Sequence, residues 1–387
     1  MKILITNHHL LDYAGSEIYM LNLTKGLKRF GHDIIVYSKF IDKLKNDFKI
    51  TGIRYTSDLD SIKNELFDIA HVHHNISAYE VRYHFSKLPI LFLSHGSTPF
   101  LEKPPVIDLN IQQYGAVSKI VKDMLITCQV SPKNIKIMPN IVDETLFCPV
   151  GKISSKPKTA LLLSSRIDEK REQAIRNACD SMGIQLRAVG LRFGWVPNKD
   201  LPKIINQSDI VFTIGRGVIE TMMCGRIPFI YDIHGGCGIL TPKIFYKSLE
   251  YSFSGKYLGK NYSASEIVKE INKKYSNNLA NDLQRLAISN FSINNNIPKI
   301  IKIYEHVIQT FKPKSVNFFQ LEHIINIIKN SVSYEYFYTK RNIEQNIMTD
   351  NRNLKMKIEV LEKTSTLLLP QERIKFGSGL ITILNIN

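Results

Sequence analysis

Four short segments of the sequence combine small residues with charged or hydroxyl side chains, each where an apolar run gives way to a helical pattern. In chain order they hold Gly15 and Ser16; the cations Arg166, Lys170 and Arg171; Gly215, Arg216, Gly217 and Glu220; and the glycine-dense run 231–238. Glycine allows close approach to the backbone N–H groups at a helix start, where the helix dipole favours an anion. Arginine adds a fork of donors that matches phosphate oxygens. These segments predict a phosphate or diphosphate site.

Each segment also has a plainer interpretation, which the residues alone leave open. Ser16 could simply cap the first long helix, and the cations 166–171 could belong to a solvated helix start with internal ion pairs. The run 231–238 is either a turn or a flexible wall of a cleft. Glu220 is placed to accept hydrogen bonds from the two hydroxyls of a ribose, although so short a glycine pattern does not identify a nucleotide site by itself.

Histidine is concentrated early in the sequence: eight of the eleven histidines lie in the first 150 residues. His71, His73 and His74 end one predicted strand, but no carboxylate or cysteine stands at a matching zinc spacing, so no metal site is predicted. His95 follows another apolar strand. It either donates to a sugar hydroxyl or is a structural histidine with its own partners.

Two series of alternating strands and helices position these residues. Buried apolar strands followed by helices predict parallel sheets, and the non-periodic stretch 140–157 predicts a linker between them. We therefore expect an α/β protein with Rossmann-like domains at 1–150 and 151–312 and a helical extension at 313–387. Ligands of such sheets bind at the carboxyl ends of the strands, so the cleft between the lobes is the expected site.

Composition sets the broad class. The 387 residues, 44% of them apolar, suffice for two cores, and five cysteines without CxxC spacing fit a reducing cytoplasm. The start of the chain is typical of a first strand rather than a signal peptide, and no apolar run reaches the roughly 18 residues of a spanning helix. Of the net charge of +16, residues 151–312 carry +11. Such an excess suits nucleic acid, a diphosphate or anionic lipid alike.

The extension 313–387 changes character and lacks the strand rhythm. Its stripe Phe318, Leu321, Ile325 and Ile328 has helical spacing. Such a stripe is typical of a packing or dimer face, so we expect any homo-oligomer to form through 313–387.

Taken together and in this order, the segments resemble the GT-B-fold glycosyltransferases of glycosyltransferase family 4, over residues 1–312. The parts that carry the resemblance are NHHLLDYAGSEIYMLNLTKGLKRFGHDIIVYS, MPNIVDETLF and SDIVFTIGRGVIETMMCGRIPFIYDIHGG. The family implies two Rossmann-like lobes facing a cleft, the second holding the donor and the first the acceptor. It implies retaining transfer from a UDP- or GDP-linked sugar to a glycan or glycolipid, without a metal cofactor. It also implies cell-surface polysaccharide synthesis in the cytoplasm, with peripheral membrane contact and no nucleic-acid partner.

The same resemblance implies roles for individual residues. Gly15 looks like the family's glycine near the donor phosphates, and Arg166 like its arginine on the diphosphate. The family's lysine falls on Arg171, with Lys170 adjacent, so either cation could serve. Glu220 matches the second acid of the family's E-x7-E pattern. His95 resembles the first-lobe histidine near the transferred sugar.

Those roles make His95, Arg166, Arg171 and Glu220 the expected catalytic residues, with the 215–217 amides assisting at the diphosphate. Two positions depart from the family pattern, since Phe212 stands at the first acid and Ala14 where many relatives have a second glycine. The departures leave two rival functions open. One is a degenerate, non-catalytic sugar- or nucleotide-sugar-binding protein, and the other is a nucleotide-sugar epimerase or hydrolase.

Overall fold

The computed structural model describes residues 1–194, 196–330, 372–376 and 379–383. These fall into two compact units, 1–317 and 318–387. The first unit holds both predicted α/β lobes. Among the described helices, none combines the length and apolar character needed to cross a bilayer.

The first lobe is built on a seven-stranded sheet in which every pairing is parallel. The strands run in the order β5-β3-β1-β6-β7-β8-β9, and β2 and β4 form a separate small pair. The order reverses between β1 and β6, which is the switch point where doubly wound sheets bind ligands. The elements are β1 (Lys2–Thr6), β2 (His9–Leu10), α1 (Gly15–Arg29), β3 (Asp33–Tyr37), β4 (Phe40–Ile41), α2 (Lys45–Thr51), β5 (Arg54–Thr56), β6 (Ile69–His73), α3 (Asn75–His84), β7 (Ile90–Ser94), β8 (Gln113–Ala116), α4 (Lys119–Thr127) and β9 (Ile135–Ile137).

The second lobe repeats the plan on a five-stranded sheet with the order β11-β10-β12-β13-β14. Its order reverses between β10 and β12, so a second switch point lies there. The elements are β10 (Thr159–Leu163), α5 (Glu169–Ser181), β11 (Gln185–Val189), α6 (Leu201–Asn206), β12 (Ile210–Thr213), α7 (Arg216–Met223), β13 (Ile227–Asp232), β14 (Gly235–Ile239), α8 (Pro242–Glu250), α9 (Ala264–Lys274), α10 (Asn277–Phe291) and α11 (Ile293–Thr310).

The glycine-dense run 231–238 is neither a simple turn nor a flexible wall. It forms most of an antiparallel hairpin between β13 and β14, with an irregular register between Ile230 and Tyr231. Gly235 turns the hairpin at φ 75°, and a Cβ on Gly236 would lie 2.1 Å from the Ile230 carbonyl oxygen. Glycine therefore serves close backbone packing inside the sheet here.

Helix α11 returns to the first lobe. Its buried residues Ile293, Ile297 and Tyr304 join the core built from β1, β3 and α1. The two helices approach closely because Gly26 on α1 has no side chain; a Cβ there would lie 2.6 Å from Ile297 Cγ1. The bounds at 150 and 312 stay predictions, but this packing ties a late segment of the chain to the first core.

The second unit contains α12 (Phe318–Asn330), as the helical pattern predicts, and an antiparallel pair, β15 (Glu372–Phe376) and β16 (Gly379–Ile383). The helical pattern is found at 318–330, the strand pair lies outside it, and the character of the extension as a whole stays a prediction. Residues 331–371, 377–378 and 384–387 lie outside the described residues. A homo-oligomer through 313–387 stays a prediction.

Candidate active site

The switch points of the two lobes lie across from each other. Arg216 of α7 donates from Nη1 to the carbonyl oxygen of Ile141 at 3.3 Å, and its charge acts on the first-lobe His95. Beside them, Ser252 Oγ donates to Ser118 Oγ at 2.7 Å and joins the lobes directly. The carboxyl ends of β1, β6 and β7 therefore face those of β10 and β12.

The loop after β10 holds Arg166 in a defined position. Ser164 Oγ donates to Asp232 Oδ2 at 2.7 Å and accepts from the backbone N–H groups of Arg166 and Ile167 at 3.1 and 3.0 Å. Asp232 is 1% exposed, so this anchor is shielded from water. The Arg166 side chain itself is exposed and has no hydrogen bond or ion pair among the described residues. Its guanidinium is thus uncommitted beside a rigid loop.

Lys170 and Arg171 differ in whether their side chains have partners. Arg171 is held by the Asp168 carboxylate and donates from Nη2 to Asn261 Oδ1 at 2.6 Å. Lys170, one residue earlier, is exposed and forms no ion pair within the described part of the chain. The choice between the two cations stays a prediction, but only Lys170 can reach a ligand without giving up a partner.

Helix α7 begins on a backbone that requires glycine. Gly215 has φ 62°, and its N–H donates to the Phe253 carbonyl oxygen at 3.0 Å. That donor is therefore occupied, which corrects the expectation that the Gly215 amide faces a diphosphate. The amides of Arg216 and Gly217 open the helix without intrahelical acceptors and remain suitable for an anion.

Glu220 is paired within its own helix. Arg216 Nε donates to Glu220 Oε1 at 2.6 Å, and the carboxylate is 3% exposed. Burial raises the pKa of Glu220, and the neighbouring arginine only partly opposes this. Because Glu220 Oε1 already accepts from Arg216, the predicted ribose contact would have to use Oε2, or Arg216 would have to move.

Phe212 lies inside the second core rather than at the site. It is fully buried in β12, with its ring centroid 4.9 Å from that of Phe229. Only Ile214 and Gly215 connect β12 to α7. The position eight residues before Glu220 therefore faces the core.

The start of α1 is open. Gly15 is its first residue and is exposed, and a Cβ there would meet no atom within 4 Å. The residue before the helix is Ala14, which offers no side-chain cap. Ser16 is therefore not the N-cap; its Oγ donates to Glu17 Oε2 at 2.8 Å. The helix start keeps backbone donors that an anion could accept from.

His95 stands at the end of β7, partly exposed. Its Nε2 lies 2.6 Å from His73 Nδ1, and its backbone N–H donates to Glu102 Oε2 at 2.5 Å. The Tyr19 ring meets the imidazole edge-on at 4.8 Å between centroids. Burial lowers the pKa of His95 to about 4, partly offset by Glu102, so the ring is neutral at pH 7.

The HxHH run is visible in the sequence, but the cluster that it joins is not. His71 and His73 stack at 4.7 Å, His9 and His74 at 5.2 Å, and His71 Nδ1 lies 2.5 Å from the hydroxyl oxygen of Tyr304. No group of three or more histidine, cysteine or acidic side chains in the described ranges is arranged to hold a metal. No short-range signal could have revealed Tyr304, which is 233 residues from its partner.

Comparisons with known proteins bear on the fold and on the first lobe. Residues 13–146 match the profile of Glycosyltransferase Family 4. Among solved structures, HepE of Anabaena in complex with UDP and glucose is 14% identical, with a TM-score of 0.55 over 79% of this chain and 100% of that one. AviGT4, a glycosyltransferase involved in avilamycin A biosynthesis, is 12% identical, with a TM-score of 0.51 over 81% and 99%.

A putative UDP-N-acetylglucosamine 2-epimerase of Listeria monocytogenes is 13% identical, with a TM-score of 0.53 over 81% of this chain and 98% of that one. No curated protein sequence matches the chain. At these identities the structural likeness defines the fold, and the profile match is confined to the first lobe. The chain has the GT-B fold of two facing Rossmann-like lobes, and its first lobe is similar to Glycosyltransferase Family 4 over residues 13–146.

Proposed function

We propose that the protein is a retaining glycosyltransferase that moves a sugar from a nucleoside diphosphate to a glycan or glycolipid acceptor. The proposal rests on one observation, which is that two complementary groups lie at the opposed switch points of the two lobes. Uncommitted cations Arg166 and Lys170 stand at one switch point, and the neutral donor-capable His95 stands at the other. HepE has been solved with UDP and with UDP-glucose, which favours a UDP-linked sugar here.

In this proposal the second lobe binds the diphosphate. Arg166 and Lys170 or Arg171, with the first amides of α7 and the open start of α1 at Gly15, stabilise the charge that develops as the diphosphate leaves. Such preorganised donors are worth roughly 3 kcal/mol each. No metal cofactor is part of the scheme, because these groups supply the positive charge.

The transfer breaks the bond between the anomeric carbon and the diphosphate oxygen. A new bond to the acceptor oxygen forms on the same face, and the departing oxygen takes the acceptor proton. His95 holds a hydroxyl of the transferred sugar, while Glu220 contributes through Arg216 or by one oxygen to the ribose. Closure of the lobes excludes water, which limits hydrolysis of the donor.

The biological setting is proposed from the family and the charge. The excess of +11 in residues 151–312 suits both a diphosphate and an anionic membrane surface. Cell-surface polysaccharide or glycolipid synthesis at the cytoplasmic face of the membrane fits both features.

One rival function has a specific observation behind it. The fold matches a putative epimerase as well as it matches glycosyltransferases. The family match of the first lobe favours transfer, and the two activities differ in whether they need an acceptor.

The test is turnover of UDP- and GDP-sugars with and without a lipid-linked or oligosaccharide acceptor, followed by mass spectrometry and by NMR of the product anomer. Transfer predicts release of the nucleoside diphosphate that depends on acceptor, with the donor's anomeric configuration kept. Epimerised or hydrolysed sugar without acceptor would identify the rival enzymes. Nucleotide binding without any turnover would identify a binding protein.

A further inference from the structure

His73 and His95 are joined by one short contact at the first-lobe switch point. His73 Nδ1 and His95 Nε2 are 2.6 Å apart. The ring planes lie within 8° of each other with centroids 4.8 Å apart. With the nitrogens 2.6 Å apart, a centroid separation of 4.8 Å means that the rings meet edge to edge. The shared proton then lies near both ring planes. The contact is a well-aligned hydrogen bond.

Only one of these two nitrogens can carry the proton. Burial holds the pKa of His73 well below its usual value and lowers that of His95 to about 4, so both rings are neutral at pH 7. A neutral imidazole has one N–H and one acceptor nitrogen. Either His73 donates and His95 carries its own proton on Nδ1, or His95 donates from Nε2 and His73 carries its proton on Nε2.

The surroundings separate these alternatives. His73 Nε2 is buried and has no hydrogen-bond partner among the described residues. A proton there would be an orphaned buried donor, which is energetically unfavourable. Orphaned donors are also rarer in proteins than acceptors with a spare lone pair. His95, by contrast, is partly exposed, and its Nδ1 is not among the buried unpartnered atoms.

We propose that His73 is a positioning residue: its Nδ1–H donates to His95 Nε2 and thereby fixes the proton of His95 on Nδ1. His95 then presents an N–H donor to an oxygen of the bound ligand and cannot act there as a base. That this ligand is the sugar or phosphate of a donor rests on the proposed function. The assignment of the proton itself does not.

The experiment uses the full chain labelled with 15N-histidine, recorded by long-range 1H–15N correlation at pH 7. The two ring nitrogens then report directly as protonated or unprotonated. A His95→Gln sample identifies the His95 signals by their loss. We expect the wild type to show His95 protonated on Nδ1 and unprotonated on Nε2.

Two substitutions separate positioning from packing. In His73→Asn, the side-chain amide can still donate from a place close to that of Nδ1, so His95 keeps its proton on Nδ1. In His73→Leu, which fills similar space without a donor, the proton moves wholly or partly to Nε2. If the protein transfers sugar, His73→Leu lowers kcat by about 10- to 100-fold through misplacement of the donor, and His73→Asn restores most of it.

A wild-type spectrum with His95 protonated on Nε2 would overturn the inference, even if neither variant folds. An unchanged Nδ1–H in a folded His73→Leu protein would equally overturn it. The expected spectrum in a protein that binds no nucleotide would remove the proposed function and leave the histidine assignment in place.

Discussion

The charged side chains of the second lobe divide into committed and uncommitted groups. Arg171, Arg216 and Glu220 each have a partner within the lobe, whereas Arg166 projects from a fixed loop without one among the described residues. Removing a committed residue changes stability, and removing an uncommitted one changes only what the protein binds.

Arg166→Ala should therefore reduce turnover by about 100- to 1,000-fold, because a donor to the developing phosphate charge is lost. The unfolding temperature should stay unchanged, since no internal contact is removed. Steady-state transfer and thermal unfolding measure the two effects. Arg285→Ala, which removes an exposed arginine of α10 and its surface pair with Asp282, is the control; it should leave transfer unchanged and change the unfolding temperature little. Near-normal transfer by Arg166→Ala would contradict the assigned role.

Glu220→Ala should destabilise the fold by about 3–5 kcal/mol, because it leaves the Arg216 guanidinium buried without its carboxylate. Glu250→Ala breaks the exposed pair with Lys247 and should cost less than about 1 kcal/mol. Urea unfolding of both variants gives the comparison. Similar small losses in the two would mean that the Arg216–Glu220 pair is not a buried structural pair.

At the scale of elements, α1 and α7 both begin near glycines, but for different physical reasons. Gly15 borders open space, whereas a Cβ on Gly217 would lie 2.3 Å from Thr213 Oγ1 on β12. Gly217 serves the packing of α7 on its strand, and Gly15 keeps the start of α1 accessible to a ligand.

Gly217→Ala should accordingly cost about 1–3 kcal/mol through overpacking. Gly15→Ala should keep or slightly raise stability, because alanine is the better helix former, while it weakens nucleotide binding by placing a methyl group at the helix start. Denaturant unfolding and calorimetric titration check the pair. Unchanged nucleotide affinity in Gly15→Ala would remove α1 from the donor site.

The buried histidines at the ends of β6 and β7 predict that the stability of the fold depends on pH. Burial lowers the pKa of His71 to about 3, that of His73 well below its usual value, and that of His95 to about 4. The unfolded chain takes up protons below about pH 6.5, while the folded rings stay neutral. The contribution of these rings to the free energy of unfolding is therefore fully present above that pH. It is lost as the pH falls, by about 2 kcal/mol per ring at pH 5.

Urea unfolding at pH 7 and pH 5 measures this loss. His71→Leu should lose less stability between pH 7 and pH 5 than the wild type, because its unfolded state takes up one proton fewer. His306→Gln, an exposed histidine of α11, should behave like the wild type. Equal losses in all three proteins would mean that the buried rings do not control acid stability.

Most strands of the fold follow from the sequence. The strands Lys2–Thr6, Ile69–His73 and Gln185–Val189 have the bounds that their patterns predict. Strands of a parallel sheet are largely buried on both faces, and their apolar runs end where the polar loops begin. The hairpin strand Gly235–Ile239 is not predictable in this way, because its glycines serve close backbone contacts and lack strand propensity.

The candidate site is predictable in part for a related reason. Residues near strand ends, such as His95 and Arg166, can be found from strand positions alone. The occupied amide of Gly215, the buried Glu220 and the contact between His71 and Tyr304 depend on chain segments far apart in sequence. Local pattern carries no information about such contacts.

At the scale of the whole first unit, two doubly wound sheets place their switch points face to face. The lobes meet through the hydrogen bond between Ser118 and Ser252 and through Arg216 on the linker carbonyl of Ile141. A diphosphate bound at Arg166 would thus lie across from the histidines of the first lobe. Binding of a nucleoside diphosphate to the folded chain is therefore the step on which the proposed function depends.

The most direct test is thermal unfolding of the full chain with UDP, GDP, ADP and CMP, with and without magnesium. Binding to the folded state alone stabilises by about 2.7 kcal/mol at a hundredfold excess over Kd. We expect the unfolding temperature to rise with one diphosphate, UDP or GDP, insensitively to magnesium, and this rise to be lost in Arg166→Ala. An unfolding temperature that does not move with any nucleotide would contradict this expectation.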